Sequence, residues 1–384
     1  VAVLTEEQAM LKDMASEWTR DRMPVGAARS LYDYSGGGRP DEDLGHDPSR
    51  FAEMAEMGWT GIIVPEAYGG LEFGYASLGL VLEELGRTLA PSPLHSSALV
   101  AASALALGGS EAQKQRLLPA IADGSLIGTL ALEEGPRHAP LQLTLSAART
   151  ASGWRLEGVK RPVPDGMAAG LFVVAARTSG APGEAVGITL FLVSGDAAGL
   201  VRKPLDQIDA RRPAALTFDG VMVDDAAVLG EVDGGAPLLD AVLDRARAGL
   251  AAELLGLAEQ AFETTTEYLK TRVQFGQVIG SFQALQHRAA EMFAELQLTR
   301  SAVEAALIAI DEGSPELPAL ASLAKALAGD TAKLIANQMI QLHGGIGMTH
   351  EHDAGLYVKR ALVAGHYYGN AAFHRERWGR LQGY

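Results

Sequence analysis

The runs RVQFGQVIGSFQALQ, Arg272 to Gln286, and QLHGGIGMTHEH, Gln341 to His352, decide how the C-terminal third of the chain is read. Each sits where a long helix-periodic segment stops. Leu238 to Val273 leads into the first and Ser281 to Asp311 follows it, while Glu316 to Leu342 leads into the second and His352 to Trp378 follows. Four long helices in succession predict a four-helix bundle over residues 234–384, with apolar faces left for other subunits. Arg272 falls at a helix end just before Phe275-Gly276, where a guanidinium can grip a diphosphate with a two-pronged geometry that Lys lacks. The plain alternative is a solvated Arg that complements the helix dipole. Gln341-Leu342-His343-Gly344-Gly345 closes an apolar helix, and its glycines allow a left-handed turn and close approach of backbone to a ligand. Taken alone, such a helix end is structural. His350-Glu351-His352-Asp353 has the composition of a metal cluster, but neighbours one and two apart do not share a helix face and there is no Cys to join them. No metal site is expected.

Upstream, the period of the sequence changes twice. Leu11, Met14 and Trp18 fall at helical spacing, as do Phe51, Met54, Ala55 and Trp59 before the punctuation PEAYGG. Tyr75 to Leu89 continues the pattern through Glu83-Glu84, and Ser110-Glu111-Ala112-Gln113 has the form of a capping box. These segments predict a helical N-terminal domain over residues 1–128. From Thr129 the period shortens: Leu141, Leu143 and Leu145 alternate with polar residues, and 171–178, 186–193 and 214–223 are β-rich runs separated by Gly, Pro and Asp. A central β domain over residues 129–233 follows, closed by the Gly234-Gly235 break. The expected fold class is thus α+β and multi-domain.

Composition narrows the partners. With 384 residues, 48% apolar and 21% charged, the chain can bury sizeable cores. A net charge of −15 lacks the basic field that non-specific nucleic-acid binding needs, so no nucleic-acid partner is expected. Zero cysteines exclude disulfides and thiolate chemistry, which suits a reducing cytoplasm. The opening VAVLTEEQAM turns acidic at once and has no leader pattern, and the longest small apolar stretch, Ala98 to Gly109, is too short and too rich in Ser and Gly to span a bilayer. No membrane association is expected.

The two C-terminal motifs, together with PEAYGG (Pro65 to Gly70) and VLEELGR (Val81 to Arg87), resemble the acyl-CoA dehydrogenase family in order and spacing over nearly the whole chain. The resemblance implies a helical domain, a β domain and a four-helix bundle, with FAD as cofactor and an acyl-CoA as substrate. It further implies that Arg272, Phe275, Ile279 and Gln283 contact the flavin on its diphosphate side, and that Gln341, Gly344 and Gly345 serve the adenine end across a subunit boundary. Gly369 and Asn370 stand where the family has a Gly-Thr pair beside the cofactor. The family removes a proton from Cα with a carboxylate while a hydride leaves Cβ for flavin N5.

The carboxylate is missing. Its usual position aligns with Tyr368, a phenol with a reference pKa near 10 and therefore a poor base at neutral pH. Some branches of the family place the Glu on the first bundle helix before an Arg, and this chain reads Ala246-Arg247 there, keeping the supporting Arg alone. Glu253 lies two turns further on a similar face, about 10 Å along the axis, and is the remaining weak candidate. Asp244 and His366 lie near the vacated positions without occupying them. The ring-side flavin contacts depart as well. Glu133 to Pro140 replaces the family's T-E-P-x-A-G-S-D, and Pro162-Val163-Pro164 replaces an aromatic-x-Thr, where proline offers no backbone N–H.

Positions given to a neighbour's flavin are kept and positions serving the chain's own flavin are lost. By resemblance this is the partner subunit of a heteromeric acyl-CoA dehydrogenase, a heterotetramer completed by a second, Glu-bearing subunit and a flavin-linked electron acceptor, in fatty acid or steroid side-chain catabolism. Two alternatives stay open: a self-sufficient homotetramer with a relocated base, and a non-catalytic scaffold of the same fold. The identity of the acyl chain is not encoded in any motif.

Overall fold

The computed structural model describes residues 3–32 and 43–384; Val1, Ala2 and residues 33–42, which the first predicted domain included, lie outside the described residues. Helices come first: α1 Glu6–Arg22, α2 Val25–Tyr32, α3 Pro48–Glu56 and α4 Tyr75–Arg87, then a π-helical turn His95–Ala101 running into α5 Ala102–Gly108, and α6 Glu111–Ala122. The capping box forms, since the Ser110 hydroxyl accepts from Gln113 N and Gln113 Oε1 accepts from Ser110 N at 2.8 Å. In α1 the buried stripe is Leu11, Ala15 and Thr19, which leaves Met14 exposed. Of the apolar stretch Ala98 to Gly109, Ala98 to Leu105 are buried protein core and Leu107 is exposed, and among the described residues no helix is long and apolar enough to cross a membrane.

The strands are β1 Gly128–Ala131, β2 Ser146–Thr150, β3 Gly153–Val163, β4 Leu171–Arg177, β5 Ile188–Ser194, β6 Leu200–Pro204, β7 Ala214–Val223 and β8 Val228–Leu229. They order β6-β7-β3-β2-β4-β5-β8, with β1 parallel to β4. Trp154, Phe172, Phe191, Phe218 and Leu216 fill the core beneath them. The predicted alternation at Leu141, Leu143 and Leu145 is not a strand. Leu143 and Leu145 are buried, but the carbonyls of Leu141 and Leu143 accept from the buried Arg177 guanidinium at 3.0 and 3.1 Å, and the ladder starts only at Ser146.

The C-terminal helices are α7 Ala236–Thr271, α8 Gln283–Asp311, α9 Leu317–His343, α10 Ala354–His366 and α11 Ala371–Leu381, with a small hairpin, β9 Val273–Gln274 and β10 Gln277–Val278, between α7 and α8. The predicted fourth helix, His352 to Trp378, is therefore two. It breaks at Tyr367–Asn370, where Tyr368 and Gly369 take positive φ and the Asn370 side chain caps α11 by accepting from Phe373 N at 3.0 Å.

By compactness the described residues divide into two units, residues 43–78 with 91–246, and residues 3–32 with 79–90 and 247–384. In the second unit α4 crosses α7 at backbone distance. A Cβ on Gly86 would stand 2.0 Å from the Glu253 carbonyl oxygen and one on Gly256 1.8 Å from that of Glu83, so only glycine fits at either position. Glu83, from the VLEELGR run, accepts from Lys12 at 2.7 Å and Arg300 at 3.3 Å, which satisfies a carboxylate that this close crossing buries.

Candidate functional site

The C-terminal unit brings the two motifs to one end. Arg272 still closes a helical bond onto Tyr268 O at 2.9 Å, after which the chain turns through β9 and β10. Phe275 (φ +54) and Gly276 (φ +79) form the two-residue turn, the pairing of positive φ values that matches strand twist. Glycine adopts it freely. Phenylalanine does so at a steric cost, and its ring is 91% exposed. Arg272 and Gln283 are exposed beside it, and Ile279 is half-buried.

Gln341, Gly344 and Gly345 are likewise exposed at the end of α9, where Gly344 takes φ +65 and a Cβ on either glycine would meet open space. Tyr268, one turn before Arg272, stacks on His343 with centroids 4.4 Å apart and its hydroxyl 3.4 Å from the His343 carbonyl. His343 Nδ1 donates to Met339 O at 2.7 Å, and burial lowers its pKa, so the neutral Nδ1–H tautomer packs in this stack. Sequence reading missed Tyr268; its place four residues before Arg272 on one helix face is the signal that could have found it. His352 accepts from Ala354 N at 3.1 Å as α10 begins, and the Arg29 guanidinium engages both Asp353 and the His350 carbonyl. Those residues are spent on local structure, and among the described residues no group of three or more His, Asp or Glu could hold a metal ion.

At the two positions where the family resemblance leads one to expect a base, Ala246 is fully buried on α7 and Tyr368 is 5% exposed with φ +57. The Tyr368 carbonyl accepts from Arg247 Nε at 3.3 Å and His374 Nε2 at 3.0 Å. Arg247, itself fully buried, lies 5.7 Å over the Phe373 ring. Glu253 Oε1 receives two N–H groups of Arg360, at 2.8 and 2.7 Å, in a buried ion pair. His366 donates to its own helix at Leu362 O, and Asp244 is buried in the other unit. None of these carboxylates stands in for a base at Tyr368.

In the β-containing unit the ring-side positions are closed by the chain itself. Glu133 Oε1 accepts from His138 Nδ1 at 2.5 Å, and the His138 side chain is almost fully buried. Next to it Glu134 accepts from Lys160 Nζ at 2.7 Å, Thr144 N at 2.7 Å and Leu145 N at 3.0 Å. Burial pushes the Lys160 ammonium down to about 8 against the pull of Glu134; burial would raise Glu134, but Lys160 and these hydrogen bonds outweigh it and hold the carboxyl below its usual range. The Pro164 carbonyl is taken by Thr129 Oγ1 at 2.8 Å. The phosphate side of FAD fits what the C-terminal unit exposes: a free-standing Arg, an outward aromatic ring and open glycine backbone. The ring side does not fit, since a carboxylate paired with histidine and two prolines replace hydroxyl and N–H donors.

Residues 5–125 match the acyl-CoA dehydrogenase N-terminal domain and residues 233–381 the acyl-CoA dehydrogenase C-terminal domain. The chain belongs to the acyl-CoA dehydrogenase family, whose members are FAD-dependent oxidoreductases. It is similar to the mitochondrial short/branched chain specific acyl-CoA dehydrogenase of Bos taurus, 30% identical over 96% of this chain and 83% of that one. Among solved structures it is similar to a chain of a Tcur3481–Tcur3483 steroid ACAD variant (32% identical, TM-score 0.87, 98% of both chains). It is also similar to a chain of the ChsE4–ChsE5 complex from Mycobacterium tuberculosis (27% identical, TM-score 0.86, 100% of this chain and 99% of that one).

Proposed function

We propose that this chain is the partner subunit of a heteromeric acyl-CoA dehydrogenase that oxidises the Cα–Cβ bond of an acyl-CoA. One observation carries the reading. The residues a neighbour's flavin would use stand exposed at one end of the C-terminal unit, while at the chain's own ring side Glu133 and His138 are bonded to each other and the Pro164 carbonyl is taken by Thr129 of β1. Likeness to chains of two complexes named for two components supports it. In this reading Arg272 binds the diphosphate, Phe275, Ile279 and Gln283 line its approach, and Gln341, Gly344 and Gly345 meet the adenine end; Gly369 and Asn370 belong to the turn beside the vacant base position. FAD, when bound, accepts the hydride. The base that takes the Cα proton comes from the second subunit, because Glu253 is held by Arg360 and neither Tyr368 nor Ala246 supplies a carboxylate. Reoxidation falls to a flavin-linked acceptor, and the cytoplasm is the fitting compartment for a cysteine-free chain.

The test is the visible spectrum of the chain purified alone and with the Glu-bearing subunit. Flavin absorbance confined to the mixed complex supports the reading. One flavin per chain in the isolated protein refutes it, and turnover by that protein alone would favour the self-sufficient homotetramer instead.

A further inference from the structure

The break between α10 and α11 holds a bulky residue, Tyr368, in the left-handed region, followed by Gly369 at φ +105. Position 369 tolerates only glycine, because a Cβ there would lie 2.5 Å from the Phe373 ring and 2.8 Å from His374 Nε2. A tyrosine keeps such a conformation only where its surroundings impose it. Here basic side chains from three helices end on the carbonyls of the turn. Arg247 of α7 and His374 of α11 reach Tyr368 O, and Lys325 of α9 donates to Gly365 O at 3.0 Å and Gly369 O at 3.2 Å. Lys325 is fully buried in an otherwise small and apolar stretch of α9, and the acceptors it reaches are the carbonyls of Gly365, in the last turn of α10, and of Gly369, in the break itself. Neither helix propensity nor packing calls for an ammonium there; a methionine would fill the volume without a desolvation cost.

We propose that Lys325 is the positioning residue of the Tyr368–Gly369 turn, pinning the carbonyls on both sides of Tyr368 so that the segment at the family's base position keeps its left-handed geometry. The importance of that segment rests on the family reading, whereas the bracing does not, so the two can fail separately. Arg247 and His374 fix the middle of the turn and Lys325 its two flanks. Arg247 from α7 and Arg360 from α10, itself paired with Glu253, act on Lys325 electrostatically, and on α11, which also packs against α9, His374 reaches Tyr368 O and Arg377 donates to Pro318 O and Ser322 Oγ at 2.8 Å. Burial, then Arg247 and Arg360, push its pKa down to about 7. A solvated lysine titrates near 10.5, so an opening of the turn that hydrates the amine takes up a proton above about 7 and becomes costlier as pH rises.

The experiment is amide hydrogen exchange over residues 364–374 in the protein as purified, with its co-expressed subunit where one assembles, from pH 6 to pH 9 and corrected for intrinsic exchange. Wild-type protection should be lowest at pH 6 and rise as pH passes about 7. Lys325→Met should lose protection about tenfold at pH 9 and show no such rise, with α8 exchanging as before. Lys325→Gln keeps neutral donors for both carbonyls and should restore part of the protection without the pH dependence; this variant decides if the Met protein fails to fold. Wild-type exchange in Lys325→Met overturns the proposal. So does a pH dependence that survives in Lys325→Gln, which would assign it to a group other than Lys325.

Discussion

Tyr268 and His343 stack 4.4 Å apart, and this contact ties the helix that ends in Arg272 to the helix that ends in Gln341 to Gly345. Two motifs separated in sequence thereby become one exposed surface. Exposed Phe275, with its ring outward in a left-handed backbone, belongs to the same end, and a free monomer gains nothing from that arrangement. The surface suits a ligand or subunit that covers it.

Replacing Arg272 with Ala should weaken flavin retention in the co-purified complex by about ten- to a hundred-fold, since a charge-assisted contact to a diphosphate is worth roughly 1.5–3 kcal/mol. Equilibrium dialysis of FAD against the complex measures it. Unchanged affinity would remove Arg272 from the cofactor surface.

Glu253→Gln tests whether that carboxylate is structural. It breaks the buried pair with Arg360, so the variant should lose stability on the order of 3 kcal/mol in urea denaturation while turnover per folded complex stays as in wild type. Loss of turnover with stability intact would instead make Glu253 the relocated base.

The architecture and both motif ends were legible because they rest on local pattern: apolar periods, a capping box at Ser110, glycine after α9. Three features were not. The break at Tyr367–Asn370 carries its own signals, Gly369 and Asn370, but the carbonyls at the left-handed Tyr368 and after it are met by Arg247 and Lys325, which only tertiary packing brings there. Leu141 to Leu145 alternates like a strand, yet its carbonyls go to Arg177 from another strand. Glu133 was readable as a departure from the family, whereas its bond to His138 is set by the path of the loop between them.

Lys160 gives the chain a pH-dependent stability term. Its folded pKa is about 8 against an ordinary 10.5, so below 8 both states hold the proton and between these values the unfolded state holds more. The Lys160 contribution to unfolding free energy therefore rises with pH across that window, by an amount on the order of 3 kcal/mol. Urea denaturation of wild type and Lys160→Met from pH 7 to pH 10 should show the wild type gaining on the variant as pH rises. Parallel curves would mean that the buried ammonium is not desolvated as its position implies.

Flavin counting by native mass spectrometry tests the partner-subunit account most directly. Co-expressed with a Glu-bearing acyl-CoA dehydrogenase subunit, this chain should appear in a complex with equal numbers of both chains and one FAD per pair, and alone it should carry FAD substoichiometrically or not at all. A homotetramer that stays homomeric beside that subunit, with one FAD on every chain, would contradict the account.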